Sequence, residues 1–206
     1  MVLDGRLLRE DHDWVGRLHD SDWQGVWIGA GGGSRAIPRL LSRPGASRTV
    51  LEVLVPYGSG ALYDLALGTG GSSVDRETAC AMAERAFDRA NRLSDGRGRY
   101  FGIGVTAALA TDRNRRGIDR AWLGVRTVGR MILAHVVFSP PAETRDGQED
   151  VMTQVVFDLL SKALRLDRGQ CTPLPGVTVT VTEEEYKVGL HGFLDGGWQW
   201  VMIHAD

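Results

Sequence analysis

The segment Asp75–Leu93 constrains the fold of this chain more than any other. Ala79, Met82, Ala83, Ala86, Phe87, Ala90 and Leu93 recur there at i, i+3, i+4 and i+7, which marks a helix with one apolar stripe. Such a stripe is stable only when it is buried against a second element. Ser73 or Asp75 can cap its first turn. The segments on either side supply sheet to receive it. Trp23–Ala30 is a short apolar run, Thr49–Val55 is a second, and Tyr100–Ala110 is a third. Each has the length and composition of a buried strand.

The rest of the chain follows the same alternation. Arg35–Ser42 carries apolar residues at helical spacing, although Pro38 belongs in a first turn, and Pro44-Gly45 stops the segment. Pro56-Tyr57-Gly58 ends the second strand, and Gly60–Leu67 reads as a short helix. Ala121–Thr127 and Arg130–Phe138 flank Val128-Gly129, a hairpin signature. Gln148–Leu166 is a long helix, apolar over so wide a face that a sheet or a second subunit must cover it. Gly176–Thr182 alternates strictly, and Gly197–His204 is a Trp-rich strand. The expected organisation is an N-terminal extension (1–22), an α/β domain with a mixed sheet (23–169) and a β-rich C-terminal appendage (170–206).

Composition excludes several classes of function. Acidic and basic residues nearly balance, for a formal charge of −2, whereas nucleic-acid binding rests on phosphate neutralisation. Cys80 and Cys171 are 91 residues apart and form no Cys-x-x-Cys, so no zinc knuckle, iron–sulfur cluster or disulfide scaffold is expected. Cys80 falls in the striped helix and reads as a core residue. The acidic and basic residues of Met1–Trp14 rule out a signal peptide, and no apolar run approaches the ~18 residues of a membrane span. A soluble, cytoplasmic chain with no metal and no cofactor is expected.

Two segments can carry chemistry, and both lie at the carboxyl ends of strands, where open α/β sheets bind ligands. In the first, Gly29–Ser34, glycines between a strand and a helix let backbone N–H groups approach an anion. As a dinucleotide fingerprint, Gly29-x-Gly31-x-x-Ser34 is one step short, and Glu52 lies inside a strand rather than at its end. A tight turn without a ligand is the structural alternative. The second is Thr106–Arg120. Thr106 and Thr111 offer hydroxyls, and Arg113, Arg115 and Arg116 can hold a phosphate or carboxylate through guanidinium forks. Asp112 and Asp119 flank these arginines and read as their counter-ions, while the alternative is a solvated loop. The five histidines are isolated in sequence, and no Gly-x-Ser-x-Gly is present.

The ordered segments have a family resemblance. Residues 31–47 (Gly-Gly-Gly-Ser-Arg-Ala-Ile-Pro-Arg-Leu-Leu-Ser-Arg-Pro-Gly-Ala-Ser) resemble the first helix of the CinA family. Val55-Pro56-Tyr57, Glu77-Thr78-Ala79-x-x-Met82-Ala83, Gly104-Val105-Thr106 and Gln148-Glu149 are similar to family segments in the same order. The resemblance spans about residues 24–166. It implies a three-layer α/β sandwich that binds nicotinamide mononucleotide at the strand ends, as the family's amidohydrolases do. In the family pattern a serine nucleophile is activated by a lysine. Here those positions fall on Ala30 and Leu62, and the only lysines in the chain are Lys162 and Lys187.

The resemblance therefore implies a divergent branch without the Ser–Lys pair. Gly31, Gly32, Gly33, Thr106, Thr111, Arg113 and Arg116 are expected to bind the ligand. Ser34, Tyr57 and Asp112 are expected to position a water for hydrolysis. The alternative is a non-catalytic nucleotide sensor or partner subunit. The wide apolar face of Gln148–Leu166 and the pair Trp198 and Trp200 point to a homo-oligomer, most simply a dimer.

Overall fold

The computed structural model describes residues 5–65, 74–94, 96, 98–112, 117–139, 144–169, 176–189 and 201–204. Its elements in order are α1 (Gly5–His19), β1 (Trp23–Ala30), α2 (Ala36–Leu41), β2 (Val50–Leu54), α3 (Ser59–Leu65), α4 (Arg76–Leu93), β3 (Arg99–Ala108), β4 (Arg120–Thr127), β5 (Arg130–Phe138), α5 (Arg145–Leu164), β6 (Val177–Gly189) and β7 (Val201–His204). The sheet order is β2-β1-β3-β4-β5-β6-β7. β1 pairs in parallel with β2 and β3, and every later pairing is antiparallel. Helices cover both faces, which makes a three-layer α/β sandwich with a mixed sheet. β6 pairs with β5 along the main sheet from Val177 to Glu185, so the C-terminal β segment extends that sheet.

The strand parity separates two cores. Ile103, Val105, Leu123, Val125, Ile132, Ala134 and Val136 face α1, α2 and α5, where Trp14, Leu18, Leu40, Met152, Val156 and Phe157 meet them. On the other face Val26, Ile28 and Ala30 pack with Met82, Ala86 and Ala90 of α4. The apolar breadth of α5 is thereby explained. The sheet, α1 and α2 take up its faces, and even Gln148, Glu149, Thr153 and Gln154 are buried.

The N-terminal segment set apart in the sequence is helical at Gly5–His19. Trp14, Val15 and Leu18 are buried in the core, with Trp14 tilted against Phe157 at 5.5 Å between ring centroids. The sequence reading found no helix here because the segment is rich in charge and only one narrow stripe is apolar. Asp75, not Ser73, caps α4, its carboxylate accepting from the Thr78 N–H at 2.8 Å.

Glycines set the spacing between α4 and the sheet. A Cβ on Gly102 would run into the backbone of Ala83 and Phe87, and one on Gly104 would run into the Ala79 carbonyl. The helix backbone lies directly on β3, closer than any side chain would allow. Cys80 packs on the same side beside Ala83, Met131, Leu133 and Tyr186, and burial pushes its thiol up to about 11.

Among the described residues no helix is long and apolar enough to cross a membrane. No group of three or more His, Cys, Asp and Glu residues among them could hold a metal ion.

Two outcomes test this packing. Gly104→Ala forces the backbone of α4 off the sheet and is expected to cost about 1–3 kcal/mol in urea unfolding. The second concerns His19, which is buried with one ring nitrogen, Nε2, 2.9 Å from the Leu40 carbonyl and the other without a partner. Burial lowers its pKa from 6.5, against the pull of that carbonyl. The unfolded chain then binds this proton at a higher pH than the folded one. Stability is therefore full above about pH 6.5 and falls as the pH drops below it. His19→Gln should flatten that part of the pH profile.

Candidate functional site

Three segments meet at the carboxyl ends of β1 and β3: the turn Gly31–Ser34, the segment Leu109–Asp112 and the first turns of α5. The turn requires glycine. Gly31 and Gly33 have φ of +80° and +78°, and a Cβ on Gly31 would overlap the Ala107 carbonyl. Gly32 lies against Leu109, where a Cβ would come within 2.6 Å of its Cδ1.

Side chains from α5 hold these segments together. Arg145 Nη2 donates to the Gly31 carbonyl at 3.1 Å and to Glu149 Oε1 at 3.0 Å, while Nη1 reaches the Ala110 carbonyl at 3.5 Å. Glu149 Oε2 accepts from Ser34 Oγ at 3.4 Å and from the Arg35 N–H at 3.5 Å. Gln148 Oε1 accepts from the Ala110 N–H at 2.6 Å, and its Nε2 donates to Asp119 Oδ2 at 2.7 Å. Arg35 adds bonds to Asp146 and Asp150. Thr144 starts the helix by accepting from the Gly147 N–H at 3.2 Å. Glu149 is 5% exposed and stands near the N-terminus of α5, where the helix dipole favours a negative charge.

The expected site residues fall into groups. Gly31, Gly32, Gly33 and Ser34 lie together in the turn, with Ser34 exposed. Thr111 and Asp112 follow β3 and are also exposed. Thr106 is buried, two residues before the end of β3. It is the register partner of Ala30 and of Trp122, on the α4 side of the sheet. Tyr57 lies beyond β2 and is 69% exposed. Arg113, Arg115 and Arg116 lie outside the described residues, as do Cys171, Trp198 and Trp200.

Two further carboxylates are engaged by side chains of the helices. Glu52 is held by Arg89 of α4 through bonds of 2.8 and 3.1 Å, and this pairing holds its carboxyl below the ordinary range. It is a sheet-to-helix ion pair and not a ribose ligand. Asp119 receives Gln148. The clamp formed by Arg145, Gln148 and Glu149 was not read as such. Its visible signals are the Gln148-Glu149 pair and the spacing of Arg145 and Glu149, i and i+4 on a helix.

Ala30 and Leu62, the positions to which the sequence resemblance assigns the family's serine and lysine, belong to one apolar cluster with Val26, Ile28 and Met82. Elsewhere, an apolar cleft lies between α2, β1 and β2, lined by Leu18, Trp27, Ile37, Leu40, Thr49 and Val53. It offers a ligand almost no polar group.

No protein-family model matches the chain, and no curated protein does. Solved structures do. The chain is similar to a competence/damage inducible protein from Agrobacterium tumefaciens, with 19% identity over 76% of this chain and 95% of that one, at a TM-score of 0.57. A CinA superfamily protein from Escherichia coli shares 17% identity over 81% of this chain and 94% of that one, at a TM-score of 0.59. Another from Klebsiella pneumoniae shares 13% over 77% and 98%, also at 0.59. At such identities the likeness is one of fold: this chain has the fold of the CinA superfamily proteins.

The clamp predicts its own cost. Glu149→Gln leaves Arg145 without its carboxylate and should lower stability by about 1–3 kcal/mol. Ser34→Ala, at an exposed position, should stay within about 0.5 kcal/mol. Chemical denaturation of the two variants checks both values.

Proposed function

We propose that the chain binds a phosphoribosyl pyridine ligand of the nicotinamide mononucleotide type at the carboxyl ends of β1 and β3. It hydrolyses that ligand or a related nucleotide without a Ser–Lys pair. The observation that carries this reading is the pair formed by Ser34 and Glu149, an exposed hydroxyl donating to a buried carboxylate at the strand ends. With its proton committed to Glu149, Ser34 Oγ turns its lone pairs outward and accepts from a water. As that water attacks the amide, glycosidic or phosphate bond of the ligand, its proton passes through the hydroxyl to the carboxylate and is returned to the leaving group as that bond breaks. In this reading Asp112 and Tyr57 orient the water and the ribose.

The backbone N–H groups of Gly31, Gly32 and Gly33, the hydroxyl of Thr111, and Arg113 and Arg116 hold the phosphoribosyl part, while the buried Thr106 lies beneath them in β3. The resemblance of residues 24–166 supports the choice of ligand class. In this reading the protein acts in the cytoplasm as a homo-oligomer, on a small molecule and not on nucleic acid.

One observation favours a second reading. Ala30 and Leu62 form hydrocarbon packing where the family's catalytic pair would meet, as expected of a nucleotide sensor that has lost chemistry. Titration calorimetry with nicotinamide mononucleotide, followed by mass spectrometry after long incubation, separates the two. Binding with a new product that disappears in Glu149→Gln supports hydrolysis. Binding with unchanged ligand supports the sensor. No heat and no thermal shift across a panel of phosphoribosyl compounds would exclude both.

A further inference from the structure

One row of side chains crosses four strands at the end of the sheet that carries the candidate site. Ala30 of β1 is the register partner of Thr106 in β3, Thr106 of Trp122 in β4, and Trp122 of His135 in β5. Direct partners share a face, and Ala30 belongs to the α4 cluster, so the whole row lies on the α4 side. One row further into the sheet stand Ile28, Gly104, Gly124 and Leu133. There the α4 backbone sits on the glycines at Ala79. The helix begins at Arg76, so it covers the glycine row and ends over the next.

At that change the residues become large and planar. The Trp122 and His135 rings stack with centroids 4.3 Å apart and planes at 12°, and both side chains are only half-buried. Burial, with the Arg120 guanidinium adding to it, pushes the His135 imidazole below its ordinary value. The pair is then ring on ring near neutral pH. One face of the indole is backed by the imidazole, and on the β3 side its register partner is Thr106.

We propose that Trp122, backed by His135, is the platform on which the planar ring of the ligand stacks, on the α4 side of the strand ends. The inference rests on the ligand reading above and deepens it. The phosphoribosyl part is held by the loops at the strand tips, and the heteroaromatic ring by an indole that the helix leaves half-uncovered. Stacking of a heteroaromatic ring on an aromatic side chain changes affinity by roughly ten-fold or more.

The test compares nicotinamide mononucleotide with ribose 5-phosphate, which lacks the ring, by calorimetry and by quenching of tryptophan fluorescence. The wild-type chain should bind both, and only the nucleotide should quench. Trp122→Leu keeps apolar bulk without a ring. It should weaken nicotinamide mononucleotide roughly ten-fold and leave ribose 5-phosphate within about two-fold. Trp122→Phe should keep most of the affinity and lose the share of quenching that belongs to this indole. Nucleotide binding that is equal in wild type, Trp122→Leu and Trp122→Phe overturns the platform while sparing the ligand reading. So does unchanged quenching in Trp122→Phe, which decides the matter if Trp122→Leu fails to fold. Binding of neither compound by the wild-type chain removes the ligand reading, and the platform with it.

Discussion

The arrangement at the strand ends depends on one ion pair, Arg145 with Glu149. Neither residue acts only on the other. Arg145 also binds the carbonyls that follow β1 and β3, and Glu149 also receives the hydroxyl and the amide that open α2. A buried carboxylate is costly unless it is paired and hydrogen-bonded, and here both of its oxygens have partners. The cost of burial becomes a constraint on geometry, because the charge is satisfied only when both loops and two helices stand where they do. A polar turn built on glycines would otherwise have many conformations open to it.

A second constraint acts on the opposite face of the sheet. Gly102, Gly104 and Gly124 remove side chains under α4, and the helix settles on the strands through its backbone. Small residues on the helix side, Ala79, Ala83, Ala86 and Ala90, make the same concession. The apolar stripe of this helix is therefore shallow, and its stabilisation comes from close contact over its length more than from large buried groups. The large groups of the core lie across the sheet, where Trp14, Trp27, Met152 and Phe157 fill a deeper layer.

How much of this was legible follows from the range of each interaction. Periodicity reports on faces, and it located β1 to β5, the hairpin at Val128-Gly129 and the helices α4 and α5 to within a few residues, whereas β6 runs on to Gly189, seven residues past the Thr182 where the alternation was read to end. The mixed sheet followed from their order. Helix α1 was hidden because charged residues dominate it and its anchor, Trp14, meets Phe157 and the Leu166 carbonyl only through the fold. At the candidate site the glycine turn and the segment after β3 were visible, since each is a local signal. The clamp between them was not. Arg145 precedes the helix read from Gln148, and its carbonyl partners, Gly31 and Ala110, are 114 and 35 residues away in sequence. Backbone carbonyls carry no sequence signature at all. The stack of Trp122 on His135 was likewise hidden, because each residue alone looks like an ordinary strand position and only the register brings them face to face.

The attachment of α1 has a bearing on how the chain is made. Trp14 Nε1 donates to the Leu166 carbonyl at 3.0 Å, across 152 residues, and Arg17 donates to the Asp167 carbonyl at 3.0 Å. On the ribosome the first helix emerges long before the residues that will hold it, and domains emerge from their N-terminal end at a finite rate. The two hydrogen bonds that anchor this helix form only once the residues just after α5 have been made. Contacts of such high sequence separation slow folding. Helix α1 is therefore seated late, by residues about 150 positions further along.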